Sequence, residues 1–305
     1  MSILLEIRGA CTTSDLSPFS SMPTLTELYL YPIKSCAGIA LREATLTAAG
    51  LMTEHIYDRE WMVVDANGEF MTQRQHPKMA LIAPRIKIET LELRAPGMLR
   101  IEIPLGLPDP EDEKTIEVKV WDDVVTAYDC DETTAAWFTN FLGTPCRLVR
   151  FHANAKRFAS TKWTDGVEAP TLFSDGFPML VISEASLADL NDKLKAQGRA
   201  ALPMNRFRPS IVIGGVEAFD EDHAESFRIG NVVLKPVKPC PRCPIPSIDP
   251  ATGEFGPDPL DILRTYRVNP RVDGGITFGM NTILLEGVEQ VLRVGQDIEV
   301  TLAFD

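Results

Sequence analysis

Long apolar runs are missing from this sequence. No stretch approaches the roughly 20 apolar residues that a helix needs to cross a bilayer. The N-terminus also lacks the basic and apolar regions of a secretory leader. We therefore expect a cytoplasmic protein with no membrane partner, in which residues 1–22 form a loose tail.

Cysteine and histidine are scarce, with six and four copies among 305 residues. The cysteines are too sparse for a disulfide framework, which agrees with a reducing compartment. The histidines show no metal-ligand spacing, and we expect His223 to be a solvated loop residue rather than a ligand. A glycine-rich nucleotide fingerprint and internal repeats are also absent from the sequence.

Positive charge is in short supply as well. Lysine and arginine number 30 against 43 acidic residues, which gives a formal net charge of −13. Such an excess of negative charge repels phosphate backbones and argues against nucleic acid as a partner. It does not exclude a small anionic ligand, because one basic pocket can lie within an acidic surface.

What the sequence does contain is a series of short alternating segments. Leu28 and Leu30 alternate with tyrosines before Pro32, and residues 116–120 and 298–302 alternate in the same way. Asn67-Gly68 predicts a hairpin between two further segments. Frequent proline suits short strands in barrels better than a helical bundle.

Two helices are predicted within this β-rich pattern. The first runs from residue 131 to 142 and stops at Gly143, and the second begins after an N-cap at Ser183 and ends before Gly198. The sequence therefore predicts an α+β fold that is mostly β. We place a domain boundary near residue 150, between a first domain at 23–150 and a second at 151–305.

The segment from Lys235 to Gly253 carries the densest chemical signal. Cys240 and Cys243 lie in it among several prolines. The prolines restrict the backbone and so hold a thiol in one position. Arg242 and Lys238 favour the thiolate, which is the form that binds metals and attacks electrophiles.

Three interpretations of this Cys-x-x-Cys spacing stay open from the residues alone. A structural zinc site needs a second pair of ligands, and the other candidates are scattered. A thioredoxin-like redox pair needs the motif at the start of a helix, which Pro244 and Pro246 oppose. Two incidental buried thiols are the third interpretation, which a proline-rich basic loop disfavours.

The same segment resembles the signature of MOSC domains, which are related to the C-terminal domain of molybdenum cofactor sulfurases. The block at 28–38 resembles the start of the β-barrel domain that precedes MOSC domains. Further blocks follow in order, so the resemblance covers nearly the whole chain after about residue 24. These blocks are 57–64, 173–178, 183–191, 206–210, 240–243 and 248–253.

The similarity is to mitochondrial amidoxime-reducing components and to bacterial proteins of the YcbX type. It implies a MOSC N-terminal β-barrel-like domain followed by a MOSC β-barrel domain, with the molybdenum cofactor (Mo-molybdopterin) between them. Cys243 matches the molybdenum ligand of the family, and a soft thiolate suits a transition metal. Cys240 then has a supporting role.

The resemblance also implies a set of contacts to the cofactor. Lysine, arginine and hydroxyl groups that converge on a phosphate form charge-assisted hydrogen bonds with it. The matching positions are Lys34, Ser35, Arg59, Gly176, Phe177, Arg208 and Ser210.

Three of these positions depart from the animal relatives. Ser210 stands where they have asparagine, which predicts a shorter or water-bridged contact. Gly176 and Phe177 stand where they have small hydroxyl residues, which leaves only backbone donors at this edge. The block at 173–178 is more similar to that of the bacterial branch.

Asp175 is a second candidate catalytic residue, besides Cys243. It lies in the block at 173–178, and a carboxylate near a metal site has a perturbed pKa and could donate a proton. The alternative is an ordinary turn-forming aspartate before a glycine. Both interpretations stay open at this point.

The function that the resemblance implies is reduction of small N-hydroxylated or N-oxygenated compounds by a molybdenum-cofactor-dependent oxidoreductase. The rival is a protein that binds the molybdenum cofactor or carries sulfur without reductase activity of its own. Pyridoxal phosphate enters only through the family association with cofactor sulfurases. Those proteins need a pyridoxal-phosphate desulfurase domain, for which we expect no room in this chain.

A reductase of this kind needs a source of electrons. Because no cysteine follows Cys243, we do not expect the iron–sulfur domain that YcbX-type proteins carry after the MOSC domain. The expected partners are a separate electron carrier of the ferredoxin or cytochrome b5 type and its reductase. Such carriers are acidic, so a local basic patch must attract them. Arg264, Arg267 and Arg271 form the predicted patch, unless they are only solvated surface residues.

Overall fold

The computed structural model describes residues 22–303, apart from 110 and 112. The predicted N-terminal tail therefore lies outside the described residues, except for Met22. Cys11 and part of the acidic loop before residue 115 lie outside them too. Among the described helices, none is both long and apolar enough to span a bilayer.

Strands make up most of the regular structure, which confirms the prediction of a mostly β fold. The strands are β1 (Thr24–Leu30), β2 (Ile39–Leu41), β3 (Glu43–Thr47), β4 (Gly50–Thr53), β5 (Ile56–Tyr57), β6 (Trp61–Asp65), β7 (Ala83–Ile86), β8 (Thr90–Arg94), β9 (Ile101–Pro104), β10 (Thr115–Val120), β11 (Asp123–Asp129), β12 (Cys146–Phe151), β13 (Met179–Ser183), β14 (Ile211–Gly214), β15 (Ala224–Ile229), β16 (Val232–Pro241), β17 (Ile248–Asp249), β18 (Glu254–Phe255), β19 (Val268–Asn269), β20 (Gly275–Glu286), β21 (Val291–Arg293) and β22 (Glu299–Leu302).

The helices are few and mostly short. They are α1 (Glu132–Leu142), α2 (Thr161–Thr164), α3 (Glu184–Ala196), α4 (Asp220–His223) and α5 (Leu260–Leu263), with 3-10 turns at Pro77–Leu81, Met204–Arg206, Ile245–Ser247 and Pro270–Val272. His223 thus ends a helical turn instead of lying in a loop, although its side chain is exposed as expected.

Both predicted helices are confirmed, as are the predicted caps at Ser183 and Gly143, whereas Asp131, the predicted first residue of α1, is its N-cap. The Asp131 side chain accepts a hydrogen bond from Thr134 N at 2.8 Å, and α1 ends at Gly143 with a φ of 75°. Ser183 Oγ accepts from Ser186 N at 3.0 Å at the start of α3. These side chains satisfy backbone groups that have no partner inside the helix.

The largest sheet joins the two ends of the described chain. Its nine strands follow the order β2-β1-β14-β13-β20-β16-β15-β22, with β19 paired to β20. Strand β1 pairs antiparallel with β14, and β21 pairs with β3. The predicted first and second domains therefore share two sheets, and the boundary near residue 150 stays a prediction.

The remaining strands form smaller sheets around this one. Their orders are β10-β11-β12-β6, β21-β3-β4-β5, β7-β8-β9 and β17-β18. The largest of four buried apolar clusters contains fully buried side chains from both halves of the chain, such as Leu28, Trp61 and Val181. Because β1 lies beside β14, the turn after β1 comes close to the residues that precede β14.

Gly279 fixes the close approach of β20 to β13. Its φ is +78°, and a Cβ at this position would lie 2.6 Å from Ile182 Cγ1 and 2.8 Å from Val181 O. Gly274 has a similar φ of +75°, but nothing lies within 4 Å of a Cβ built there. An alanine at Gly274 would therefore meet only backbone strain, whereas an alanine at Gly279 would meet both backbone strain and steric overlap.

We predict that Gly274→Ala lowers the free energy of unfolding by about 1 kcal/mol, the cost of a left-handed alanine. Gly279→Ala should lower it by about 2 kcal/mol more, because the added methyl group overpacks the contact between strands. Urea unfolding of the two variants measures the difference. Equal losses would show that β13 and β20 can move apart freely.

Candidate functional site

One cleft contains every site residue that the sequence predicts. It lies where the turn after β1, the loop before β13, the segment before β14 and the end of β16 meet. Its lining residues are Lys34, Ser35, Arg59, Thr72, Arg74, Ser174, Asp175, Gly176, Phe177, Pro178, Met179, Leu180, Phe207, Arg208, Ser210, Cys240, Pro241, Arg242, Cys243, Ile245 and Asn281.

The cleft is strongly cationic, unlike the chain as a whole. It is lined by one lysine and four arginines, whereas Asp175 is the only acidic residue in the lining among the residues described. Hydroxyl groups of Ser35, Thr72, Ser174 and Ser210 add hydrogen-bonding capacity. Such a donor set, in a partly enclosed space, favours an anion.

Lys34 and Ser35 lie in the tight turn after β1. Backbone hydrogen bonds from Lys34 N to Trp61 O and from Cys36 N to Ile33 O fix the turn. The Lys34 side chain is buried, donates to Phe173 O at 2.8 Å and forms an ion pair with Asp175. Burial lowers the pKa of Lys34, whereas the charge of Asp175 acts to raise it.

Tyr31 holds two arginines of the cleft in place. The Arg59 and Arg208 guanidinium carbons lie 4.3 and 4.2 Å from the centre of its ring. Burial raises the pKa of Tyr31 to about 12, although both arginines act to lower it. A Cβ at Gly38 would lie 2.4 Å from Tyr31 Cε1, so a side chain there would displace the ring.

The same region of the cleft stores backbone strain. Ser35, Arg59 and Arg208 have φ values of 65°, 53° and 55°. Non-glycine residues adopt this left-handed region at a cost on the order of 1 kcal/mol or more each, and they cluster at functional sites. Hydrogen bonds from Arg59 N to Tyr31 O and from Arg208 Nη1 to Cys36 O hold two of them.

Cys240, at the end of β16, and Cys243, in the loop after it, have different surroundings. Arg242 Nη1 donates to Cys240 Sγ at 3.2 Å, and Arg242 Nη2 donates to Phe207 O. Cys243 Sγ forms no hydrogen bond within the described part of the chain, and its side chain is half-buried at the cleft. Cys243 is therefore the thiol that is available to an external ligand.

The residues that differ from the animal relatives, Gly176, Phe177 and Ser210, also line the cleft. Ser210 Oγ accepts a hydrogen bond from Leu180 N at 3.3 Å, so this hydroxyl already has a protein partner. Gly176 and Phe177 follow Asp175 in the loop before β13. The roles predicted for all three residues stay predictions.

Asp175 lies at the mouth of the cleft, with 62% of its side chain exposed. Desolvation by the surrounding protein acts to raise its pKa, but the charge of Lys34 and hydrogen bonds from Lys34 and Trp121 outweigh it. The pKa is held well below the usual aspartate range. Asp175 is therefore a carboxylate partner of Lys34 in this conformation, and its role as a proton donor stays a prediction.

Several residues of the cleft were not predicted from the sequence. Ser174 immediately precedes Asp175 in a block that resembles the family, and this neighbourhood was a usable signal. Arg74 lies 4.7 Å from the Trp121 ring and, like Thr72 and Asn281, has no distinctive sequence context. Folding alone brings these three residues to the cleft.

The predicted arginine patch needs a correction. Arg267 is not a surface residue, because its side chain is only 11% exposed and pairs with Asp222. Its guanidinium also stacks 4.1 Å from the centre of the Phe219 ring. Arg264 and Arg271 are exposed. The three arginines therefore do not form one accessible patch.

The chain is similar in sequence to known proteins. The profile of the MOSC N-terminal β-barrel domain matches residues 22–145, and that of the MOSC domain matches residues 168–299. The chain is similar to mitochondrial amidoxime reducing component 2 of Bos taurus, with 38% identity over 80% of this chain and 72% of the relative. Mitochondrial amidoxime-reducing component 1 of Homo sapiens is 36% identical, with the same shares covered.

A solution structure of a Bordetella bronchiseptica protein is also similar in sequence. It is 28% identical and covers 35% of this chain and 85% of its own, with a TM-score of 0.30. That score is too low to bear on the fold.

The Lys34–Asp175 pair predicts a specific pH dependence. Because the folded-state pKa of Asp175 is lowered, the pair stabilises the fold above the ordinary aspartate pKa of about 3.9. This stability is lost as the pH falls through the folded pKa. The difference in unfolding free energy between the wild type and Asp175→Asn should be constant above about pH 5 and shrink below about pH 4.

Carboxyl NMR titration tests the cause directly. In Lys34→Met the pKa of Asp175 should rise, because the charge and the hydrogen bond of Lys34, which both lower it, are removed. Lys235→Met is the matched control, since Lys235 pairs with Asp165 at 2.6 Å and lowers the pKa of that carboxyl. It should raise the pKa of Asp165 alone. An unchanged Asp175 titration in Lys34→Met would contradict the assignment.

Proposed function

Because this chain belongs to the family of MOSC-domain proteins with an N-terminal MOSC β-barrel domain, we propose that it is a molybdenum-cofactor-dependent reductase. Its substrates are small N-hydroxylated or N-oxygenated compounds. The observation that carries the proposal is the cationic cleft, which is lined by lysine, arginine and hydroxyl groups and by Cys243, whose thiol has no hydrogen-bond partner among the described residues. The names of the relatives, which refer to amidoxime reduction, support the choice of substrate.

The residues of the cleft fit an anionic pterin cofactor. Arg59 and Arg208 are fixed by Tyr31, and Lys34 is fixed by Phe173 O, so these cations are oriented before a ligand binds. Ser174 Oγ is buried without a hydrogen-bond partner among the described residues. A buried polar atom of this kind costs free energy until a ligand or water satisfies it.

Cys243 is the proposed metal ligand. The prolines around it hold the loop, and Arg242 ties the neighbouring thiol of Cys240 to the backbone at Phe207. Cys240 then acts by positioning the loop, whereas Cys243 offers its sulfur to the metal. When bound, the cofactor supplies two-electron redox chemistry, which protein side chains cannot provide.

The overall reaction consumes two protons and two electrons for each N–O bond. An N-hydroxylated compound becomes the corresponding N–H compound, and the oxygen leaves as water. Asp175 holds the Lys34 ammonium in position through the ion pair, and its lowered pKa keeps it ionised at neutral pH. We infer that protons enter from solvent at the exposed mouth of the cleft.

The two cysteines provide the test of this function. With benzamidoxime as substrate and reduced methyl viologen as the electron source, Cys243→Ser should lower turnover more than about a hundredfold and remove most of the molybdenum. Cys240→Ser is the matched control. It should lower turnover about tenfold, as expected for a group that supports a metal ligand without binding the metal.

Circular dichroism and thermal unfolding of cofactor-free protein should be unchanged in both variants. Equal losses of turnover, or a larger loss in Cys240→Ser, would contradict the ligand assignment. Molybdenum bound at one per chain without turnover would instead support the alternative of a cofactor carrier.

A further inference from the structure

Three cations surround one tryptophan beside the cleft. The Lys162 and Lys238 Nζ atoms lie 5.5 and 5.2 Å from the centre of the Trp163 ring, and the Arg271 guanidinium carbon lies 5.8 Å from it. We call Lys162, Trp163, Lys238 and Arg271 the Trp163 patch. None of its cations forms an ion pair within the described residues, although many other lysines and arginines of this acidic chain do.

The Trp163 patch is continuous with the rim of the cleft. Lys238 Nζ also lies 5.8 Å from the centre of the Phe177 ring, and Phe177 lines the cleft. Lys238 is on β16, two residues before Cys240. The 3-10 turn that carries Arg271 packs against the same strand, as does helix α2 with Lys162 and Trp163. The patch therefore borders the cysteine loop.

We propose that the Trp163 patch is the docking surface for an acidic one-electron carrier protein. The proposal rests on the proposed function, because a reductase must receive two electrons for each substrate. Two reduced carriers each give one electron, so that one N–OH group and two protons yield one N–H group, water and two oxidised carriers. The patch takes the place of the predicted group of Arg264, Arg267 and Arg271, of which only Arg271 belongs to it.

Charge complementarity selects this partner. A net charge of −13 repels an acidic protein at long range, so productive encounters require a local positive surface at the electron entry point. The same net charge disfavours an anionic membrane as the occupant. Tryptophan and arginine are residue types that dominate binding energy at protein interfaces. An encounter here brings the carrier next to the loop of Cys243.

The experiment combines Lys162→Glu and Arg271→Glu in one cofactor-loaded variant. The matched control combines Arg85→Glu and Lys87→Glu, two exposed cations at β7 that do not line the cleft. The two variants have the same net charge. Benzamidoxime turnover is driven either by a soluble cytochrome b5 or an acidic ferredoxin, each with its reductase, or by reduced methyl viologen.

At low salt, carrier-driven kcat/KM should fall about tenfold or more in the patch variant and much less in the control. Added salt should reduce wild-type rates and have little effect on the patch variant. Viologen-driven turnover should be unchanged in both. Equal carrier-driven losses in the two variants, or no turnover of the wild type with either carrier, would overturn the docking surface. Failure of the proposed function is distinguishable, since viologen would then support no turnover either.

Discussion

The contact of Tyr31 with Arg59 and Arg208 is the interaction on which the site depends. Two guanidinium groups stack near one buried ring and thereby join the turn after β1, the turn before β6 and the segment before β14. Each cation–π contact contributes about 1–2 kcal/mol when it is desolvated. The arrangement also brings like charges together in a region of low solvent access, which costs free energy unless an anion compensates them. Asp58 pairs with Arg59, and Asp175 pairs with Lys34, but Arg208 gains no carboxylate partner in the described structure. A bound anion stabilises such a site in proportion to its concentration and affinity.

Local rules predicted much of the fold. The cap at Ser183 identified the start of α3, because a short polar side chain satisfies the free backbone groups at a helix start, and Gly143 identified the end of α1. Period-two alternation identified β1, β10 and β22. The pairing of β1 with β14 could not be predicted from such signals, since it joins residues far apart in the sequence. That pairing also brings together the residues after β1 and before β14 that line the cleft.

The candidate site was also predicted only in part from the sequence. Lys34, Arg59, Arg208 and Cys243 were identified because they stand in blocks that resemble a family, and the structure brings them into one cleft. Arg74 and Asn281 reach the cleft only through folding. The prediction for Arg267 was wrong because its partner Asp222 lies on α4, a contact that proximity in sequence does not reveal. The Trp163 patch was missed for the same reason, since its members come from α2, β16 and a 3-10 turn.

Two adjoining places on this acidic chain, the cleft and the Trp163 patch, each bring several cations together. The docking surface depends on the cleft, because an electron carrier has no role without a metal at Cys243. The most direct measurement is an anomalous diffraction map of cofactor-loaded crystals at the molybdenum absorption edge. The expected result is one peak within bonding distance of Cys243 Sγ, with Lys34, Arg59 and Arg208 around the electron density of the pterin. A peak bonded to Cys240 Sγ, or no peak in the cleft of an active preparation, would contradict the assignment.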